Sequence, residues 1–291
     1  MRLTDYTNDP FFQPHEFKFF HPSLKKEYTV LQISDLHIMA LNENSTPERR
    51  EIVLNKRERW ESVKIGFAKA YGDDYDEPHL LPTTDALPKF IALCNEKMPD
   101  AVLFTGDMME DYSEENLSML TDAFGELKMP WMWVCGNHEK GFEEQYKPLM
   151  QGTPALQTLK VGEITFVGIN DANKQVTAEQ LAELKAQAEN AALPILVMHI
   201  PMLTAFNVEE TKRFDPYFLL GTGEVTEDTK AFLDYMQTPD NPFAAVLCGH
   251  VHGRNDSEYR PGHHQLCASS SMLGPLSVLR FIPAPEPGFE A

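Results

Sequence analysis

The four cysteines, Cys94, Cys135, Cys248 and Cys267, form no Cys-x-x-Cys pair. This excludes a dithiol redox or ribbon-type metal motif and leaves thiols that behave as small hydrophobes, as expected in a reducing compartment. No apolar run approaches the ~18 residues that a membrane-spanning helix needs. The opening residues, Met1-Arg2-Leu3-Thr4-Asp5-Tyr6, show no basic stretch leading into an apolar one. The expectation is therefore a cytoplasmic protein with no membrane partner. Positive charge is scarce: 25 Lys and Arg stand against 44 Asp and Glu, a formal net charge of −19. Binding a long nucleic acid relies on cations that neutralise phosphates, so such a partner is not expected. A small anionic substrate stays open, and part of the acidic excess would be offset if several Asp residues held divalent cations. Internal repeats are absent, and nothing in the pattern fixes an oligomeric state.

What is present is an ordinary globular composition, 42% apolar and 10% aromatic over 291 residues. One domain over 1–282 is expected, with a solvated tail at 283–291. Five short apolar runs, 28–33, 101–104, 131–135, 195–198 and 245–248, read as buried strands, being apolar at consecutive positions and bounded by polar or glycine turns. Helical spacing recurs between them, at Leu87, Ile91 and Cys94, at Leu117, Leu120 and Phe124, and over 226–236. A capping box from Thr177 to Gln180 opens another helix, which must stop before Pro194. Strands alternating with helices imply parallel crossovers, an α/β fold, and the stretches 158–169, 263–268 and 277–282 suggest enough extra strands for two sheets. Two segments look like insertions and candidate lids. The first is 39–84, with a charged helix over 47–71 carrying Trp60, Val63 and Phe67 on one stripe, then an acidic loop at 73–77. The second is 202–225.

The chemistry lies in the residues immediately after each apolar run: Asp35-Leu36-His37, Gly106-Asp107, Gly136-Asn137-His138-Glu139, His199, and Gly249-His250-Val251-His252. In parallel sheets the carboxyl ends of neighbouring strands open onto one crevice, so residues distant in sequence converge there. The glycines at 106, 136 and 249 let the chain turn sharply and approach a bound ligand. Carboxylate and amide oxygens mixed with imidazoles suit divalent Mn, Fe, Zn or Ni. Two such ions about 3.5–4 Å apart can activate water and clamp an in-line displacement at phosphorus.

Taken in order, these motifs resemble the motif set of the calcineurin-like metallophosphoesterases over about residues 28–270. The resemblance implies a four-layer αββα sandwich with two mixed β-sheets and a dinuclear metal site at the strand C-terminal ends. It implies that Asp35, His37 and His252 hold one ion, that Asn137, His199 and His250 hold the other, and that Asp107 bridges them. It further implies that His138 is not a ligand but contacts the scissile phosphate and protonates the leaving oxygen. Glu139, where the family often has Asp, would orient His138. The long stretch between the first two motifs departs from a compact member.

The activity expected is metal-dependent hydrolysis of a small phosphoester by in-line attack of a metal-bridging hydroxide. A phosphodiesterase acting on a nucleotide-like or other small diester is preferred. The alternatives are a phosphomonoesterase, including a protein phosphatase, and a non-catalytic interaction scaffold of the same fold. Arg254 is read either as a substrate-phosphate contact or as an ordinary surface arginine, and Arg213, Phe206 and Tyr217 are weighed as pocket residues against simple loop packing. His15, His21, His79, His263 and His264 have no ligand-like spacing and read as structural, and Trp131 and Trp133 as core.

Overall fold

A strand buried on both faces must be apolar at successive positions, because its side chains alternate between two dry environments. The computed structural model, which describes residues 6–70, 81–150 and 152–291, places the apolar runs in that situation. The strands are β1 (Gln13–His21), β2 (Tyr28–Ile33), β3 (Ala101–Phe104), β4 (Trp131–Trp133), β5 (Leu156–Val161), β6 (Ile164–Ile169), β7 (Leu193–Val197), β8 (Ala245–Cys248), β9 (Asn255–Arg260), β10 (His263–Cys267), β11 (Pro275–Pro283) and β12 (Gly288–Glu290). The helices are α1 (Pro47–Ala70), α2 (Thr83–Lys97), α3 (Glu114–Gly125), the short α4 (Glu143–Tyr146), α5 (Ala178–Glu189) and α6 (Glu227–Gln237).

Two six-stranded sheets form, in the orders β12-β1-β11-β2-β3-β4 and β5-β6-β7-β8-β10-β9. Both are mixed: β2, β3 and β4 run parallel, as do β6, β7, β8 and β10, while β11 opposes β2, β12 opposes β1, and β5 and β9 oppose their neighbours. In β3, Ala101 and Leu103 face the second sheet across a core shared with Phe166, Ile195, Leu247 and Phe281. Val102 and Phe104 on the other face meet Leu87, Phe90 and Ile91 of α2 and Phe124 of α3. The outer face of the second sheet buries Val167, Leu196 and Val246 against Leu184 of α5 and Phe232 of α6. The layers are thus helices, sheet, sheet, helices, as expected. The capping box at Thr177 and Gln180 is present, and α5 ends at Glu189.

Some differences have clear causes. β1, Gln-Pro-His-Glu-Phe-Lys-Phe-Phe-His, lacks an apolar run because only Phe17 and Phe19 join the core between the sheets, while Gln13, His15 and Glu16 are buried polar residues and Lys18 is partly exposed. The end of the chain is not wholly a solvated tail: β12 pairs with β1, and Phe289 stacks on His264 with centroids 4.0 Å apart. The acidic loop at 73–77, His79 and the side chain of Phe67 lie outside the described residues. Among the described residues no helix is long and apolar enough to cross a membrane.

The core between the sheets sets the spacing of the strand ends. Phe166 is fully buried there, its ring 5.9 Å from that of Phe281. Phe166→Ala is expected to cost about 3–5 kcal/mol, read as a lower denaturant midpoint at unchanged slope.

Candidate metal centre

The segments after β2 and β3 run side by side, locked by Asp35 N–H donating to Gly106 O at 3.0 Å, His37 N–H to Asp107 O at 3.0 Å and Ile38 N–H to Met108 O at 2.9 Å. From the second sheet, Gly249 N–H donates to His199 O at 2.9 Å, which registers the segments after β7 and β8. Four strand ends therefore deliver their polar residues to one place. Of the seven non-glycine residues with positive φ among those described, five are Asp35, His37, Asp107, His250 and His252. Left-handed backbone costs such residues roughly 1–2 kcal/mol each, and it persists where surrounding structure over-determines it.

The side chains converge in two groups that share one member. Asp35, His37, Asp107 and His252 form the first, and Asp107, His199 and His250 the second. In the first, His252 Nε2 lies 3.1 Å from His37 Nε2 and 3.2 Å from Asp35 Oδ1, and His37 Nε2 is 4.0 Å from Asp107 Oδ2. In the second, His199 Nε2 is 3.1 Å from Asp107 Oδ2, 3.2 Å from His250 Nδ1 and 3.2 Å from Asn137 Oδ1. Donors about 2.0–2.2 Å from a common ion and at near-right angles are about 3 Å apart, so most of these spacings match the edges of a coordination shell. The donor set fits two divalent cations with Asp107 between them.

Tautomers are set from outside. His199 Nδ1 lies 2.7 Å from Thr105 O and His37 Nδ1 lies 3.1 Å from Glu110 Oε2, so each Nδ1–H donates there and Nε2 is left to bind. Burial alone would push the Asp107 carboxyl up, but His199, His37 and His138 around it hold it well below the usual range. Burial pulls His199 down, yet Asp107, Asp35 and Asp171 outweigh it and lift the imidazole to about 10. His250, desolvated and beside His199, falls to about 3. Carboxylates buried in this way require a cation, and without a metal ion protons on the imidazoles serve.

The family profile of calcineurin-like phosphoesterases matches residues 28–254, which includes every one of these donors. The chain belongs to the calcineurin-like phosphoesterase family. A dimetal phosphatase from Danio rerio is similar in fold, with TM-score 0.54 and 12% identity over 84% of this chain and 88% of that one. A purple acid phosphatase from yellow lupin seeds aligns with TM-score 0.46 and 13% identity over 89% of this chain and 44% of that one. No curated protein sequence matches significantly.

In this phosphoesterase His138 stands at the rim, its Nδ1 2.8 Å from Glu110 O and 3.3 Å from Glu110 Oε2. Burial lowers its pKa, but Asp107 and Glu110 outweigh that and the imidazole sits above its ordinary value. The residue orienting His138 is thus Glu110, which the sequence motifs do not single out. Glu139 is turned away from that task. Its carboxylate accepts the N–H groups of Asp107 at 3.0 Å, Met109 at 2.9 Å and Gly136 at 2.6 Å, fixing the Asp107 loop. Burial and the neighbouring Asp107 push Glu139 up to about 7. Asp171 does the same for the His199 segment, accepting from His199 N at 3.0 Å and Ile200 N at 2.8 Å, with burial raising it to about 6. It lies just beyond β6, so the strand-end pattern that revealed the other residues could have revealed it.

A cleft of ≈ 410 Å³ opens over the centre, lined by Asp107, Asn137, His138, His250 and His252 together with Arg59, Trp60 and Val63 of α1 and Phe214, Asp215 and Phe218 of the second insertion. Arg254 is not part of this lining; its Nη1 lies 3.1 Å from His15 Nδ1. Arg213, Phe206 and Tyr217 are likewise outside the lining: Arg213 packs over Phe214, Lys174 over Tyr217, and Phe206 is exposed.

The strand-end glycines serve mainly as space. A Cβ on Gly249 would lie 2.0 Å from Ser34 Oγ and 2.5 Å from Asp35 Oδ2, and one on Gly136 would lie 2.2 Å from Asp107 Oδ1; of the three only Gly106, φ +94°, also needs the left-handed region. Gly249→Ala is therefore expected to lose the ion at the Asp35 group while retaining the other, and Asp107→Ala to lose both, measured as metal bound per chain by elemental analysis.

Proposed function

We propose that this phosphoesterase cleaves small phosphodiesters at a dinuclear centre held by Asp35, His37 and His252 on one side and Asn137, His199 and His250 on the other, with Asp107 shared. The observation that carries the diester preference is the charge of the cleft wall. Apart from the proposed ligands and His138, the lining bears Arg59 and Asp215, one charge of each sign, beside four apolar side chains, Trp60, Val63, Phe214 and Phe218, and the backbone-flanked Val251. Such a wall supplies no net positive charge for the second negative charge of a monoester, and it offers apolar contact to organic substituents.

Two divalent ions at these donors would supply a polarised water as nucleophile and neutralise charge on the phosphoryl oxygens. The donor set suits Mn, Fe, Zn or Ni. The protein's own part is orientation and proton transfer. Nδ1 of His138 is engaged by Glu110, so Nε2 is the nitrogen available to protonate the departing oxygen. Its pKa, raised by Asp107 and Glu110, favours the protonated ring, and its side chain, 30% exposed, can regain a proton from solvent.

Protein stripped of metal and titrated with Mn²⁺ is expected to hydrolyse bis(p-nitrophenyl) phosphate faster than p-nitrophenyl phosphate, with Asp107→Ala inactive; the reverse order would assign a monoesterase. His138→Ala should keep both ions while lowering kcat on an ester with a poor leaving group by about 10²–10⁴-fold. Activity should fall as pH rises through the His138 pKa, since only the protonated ring donates. Removing the Glu110 charge lowers that pKa, so Glu110→Gln, assayed at saturating Mn²⁺ because Glu110 also holds His37 Nδ1, should move the descending limb to lower pH; a limb that stays in place would refute the pairing.

A further inference from the structure

Helix α1 is held mainly by charge and contributes little to the core. Of its described side chains Val53 and Lys64 are buried, whereas Ile52 and Leu54 are 47% and 59% exposed. Its anchors are polar: Arg49 Nη1 to Asp111 Oδ1 at 2.8 Å, Lys56 Nζ to Asp111 Oδ2 at 2.7 Å and to Glu110 Oε1 at 3.3 Å, and Arg57 Nη2 to Met39 O at 2.6 Å. Core packing therefore does not account for Trp60, which lines the cleft with its ring 4.6 Å from that of His37 and 6.0 Å from that of His252. The second insertion supplies a counterpart on the other side of Asp107. Phe218, 44% exposed, lies 5.6 Å from the ring of His250, with buried Phe214 lining the same cleft. An aromatic side chain thus stands beside each of the two ligand groups, and both border the space that a phosphoryl substituent must occupy. Arg59, exposed and also in the lining, makes no hydrogen bond or ion pair among the described residues.

We propose that Trp60 and Phe218 are specificity-determining residues that select phosphoesters bearing a planar ring of nucleobase size, with Arg59 meeting polar atoms at the ring edge. The inference rests on the phosphoester-hydrolase reading above. Flat π-systems are favoured between aromatic walls with little regard to their substituents, and a cleft of ≈ 410 Å³ has room for one small ester. The strong acidity of the chain agrees, since a single ring and phosphate need no extended basic surface.

The test compares AMP with ribose 5-phosphate, which share sugar and phosphate and differ by the base. Binding is measured by calorimetry on Mn²⁺-supplemented full-length protein carrying His138→Ala, which suppresses turnover. AMP is expected to bind on the order of tenfold more tightly. Trp60→Leu and Phe218→Leu should each reduce that ratio toward one without changing ribose 5-phosphate affinity, and Trp60→Phe should keep most of it. Equal affinities in the protein with both aromatic residues intact, or a ratio that survives both leucine substitutions, would overturn the proposal. Hydrolysis of bis(p-nitrophenyl) phosphate by the protein with His138 restored separates the two failures. With hydrolysis intact and no preference for AMP, only the ring clamp falls; with neither hydrolysis nor binding of either phosphate, both readings fall.

Discussion

The carboxylate of Asp107 is the constraint on which the site is built. It is 2% exposed, common to both donor groups, and sits where desolvation alone would neutralise it. A buried carboxylate keeps its charge only with compensating cations or donors. His138 N–H donates to Asp107 Oδ1 at 2.9 Å while His199 Nε2 approaches Oδ2 at 3.1 Å, so each oxygen has a different neighbour. The Asp107 backbone is held in turn by Glu139, whose own carboxyl is raised by burial and by the proximity of Asp107. The metal centre and its supporting carboxylates thus form one electrostatic unit, and a cation bound between the two donor groups relieves every member of it.

That unit demands unfavourable backbone, which a loop alone would not maintain. Positive φ at Asp35, His37, Asp107, His250 and His252 is tolerated because each residue lies within a few positions of a strand buried on both faces. Large side chains such as Phe104, Phe166 and Phe281, fully buried on either side of the sheets, fix those strands against sliding. The absence of a Cβ at 106, 136 and 249 then lets His199, Asp107 and Asp35 occupy the gaps. Packing, strain and ligand placement depend on one another in turn: rigid strand ends permit strained residues, and strained residues aim donors at one point.

Legibility of the sequence followed the same physics. Consecutive apolar residues at Ala101–Phe104 and Ala245–Cys248 were readable to the residue because burial on both faces leaves no polar option. β1 and β12 were not, because strands at or beside the sheet edge can carry charge: Lys18 and Glu290 pair with each other near solvent, and buried Glu16 is met by Arg280 of β11. The donor residues were legible from their order after strands, yet the roles of their supporting carboxylates were not. Adjacency in sequence pointed from Glu139 to His138, whereas the chain turns so that Glu139 faces backbone N–H groups, and it is Glu110, from the neighbouring segment, whose backbone carbonyl accepts from the imidazole with its carboxylate 3.3 Å away. Arg254, two residues beyond His252, shows the same limit: the chain enters β9 at Asn255, and the guanidinium turns to His15 on β1.

The two insertions supply the cleft wall, and the link of α1 to the centre is again electrostatic. Lys56 reaches Glu110, and Glu110 meets both His37 and His138, so the helix that brings Trp60 to the cleft also touches the carboxylate beside His138. A wall attached through apolar packing could be replaced by any wall of similar volume. One attached through the orienting carboxylate ties the position of the cleft to the charge around His138, because moving α1 would remove a cation from beside Glu110. Glu110 lies below its ordinary pKa partly for that reason, after burial is opposed by His37, His138 and Lys56 in turn. In this arrangement the cleft wall that carries Trp60 and the imidazole of His138, the proposed proton donor, share one ion-pair network, so a change in the first reaches the second over a single side chain, that of Glu110.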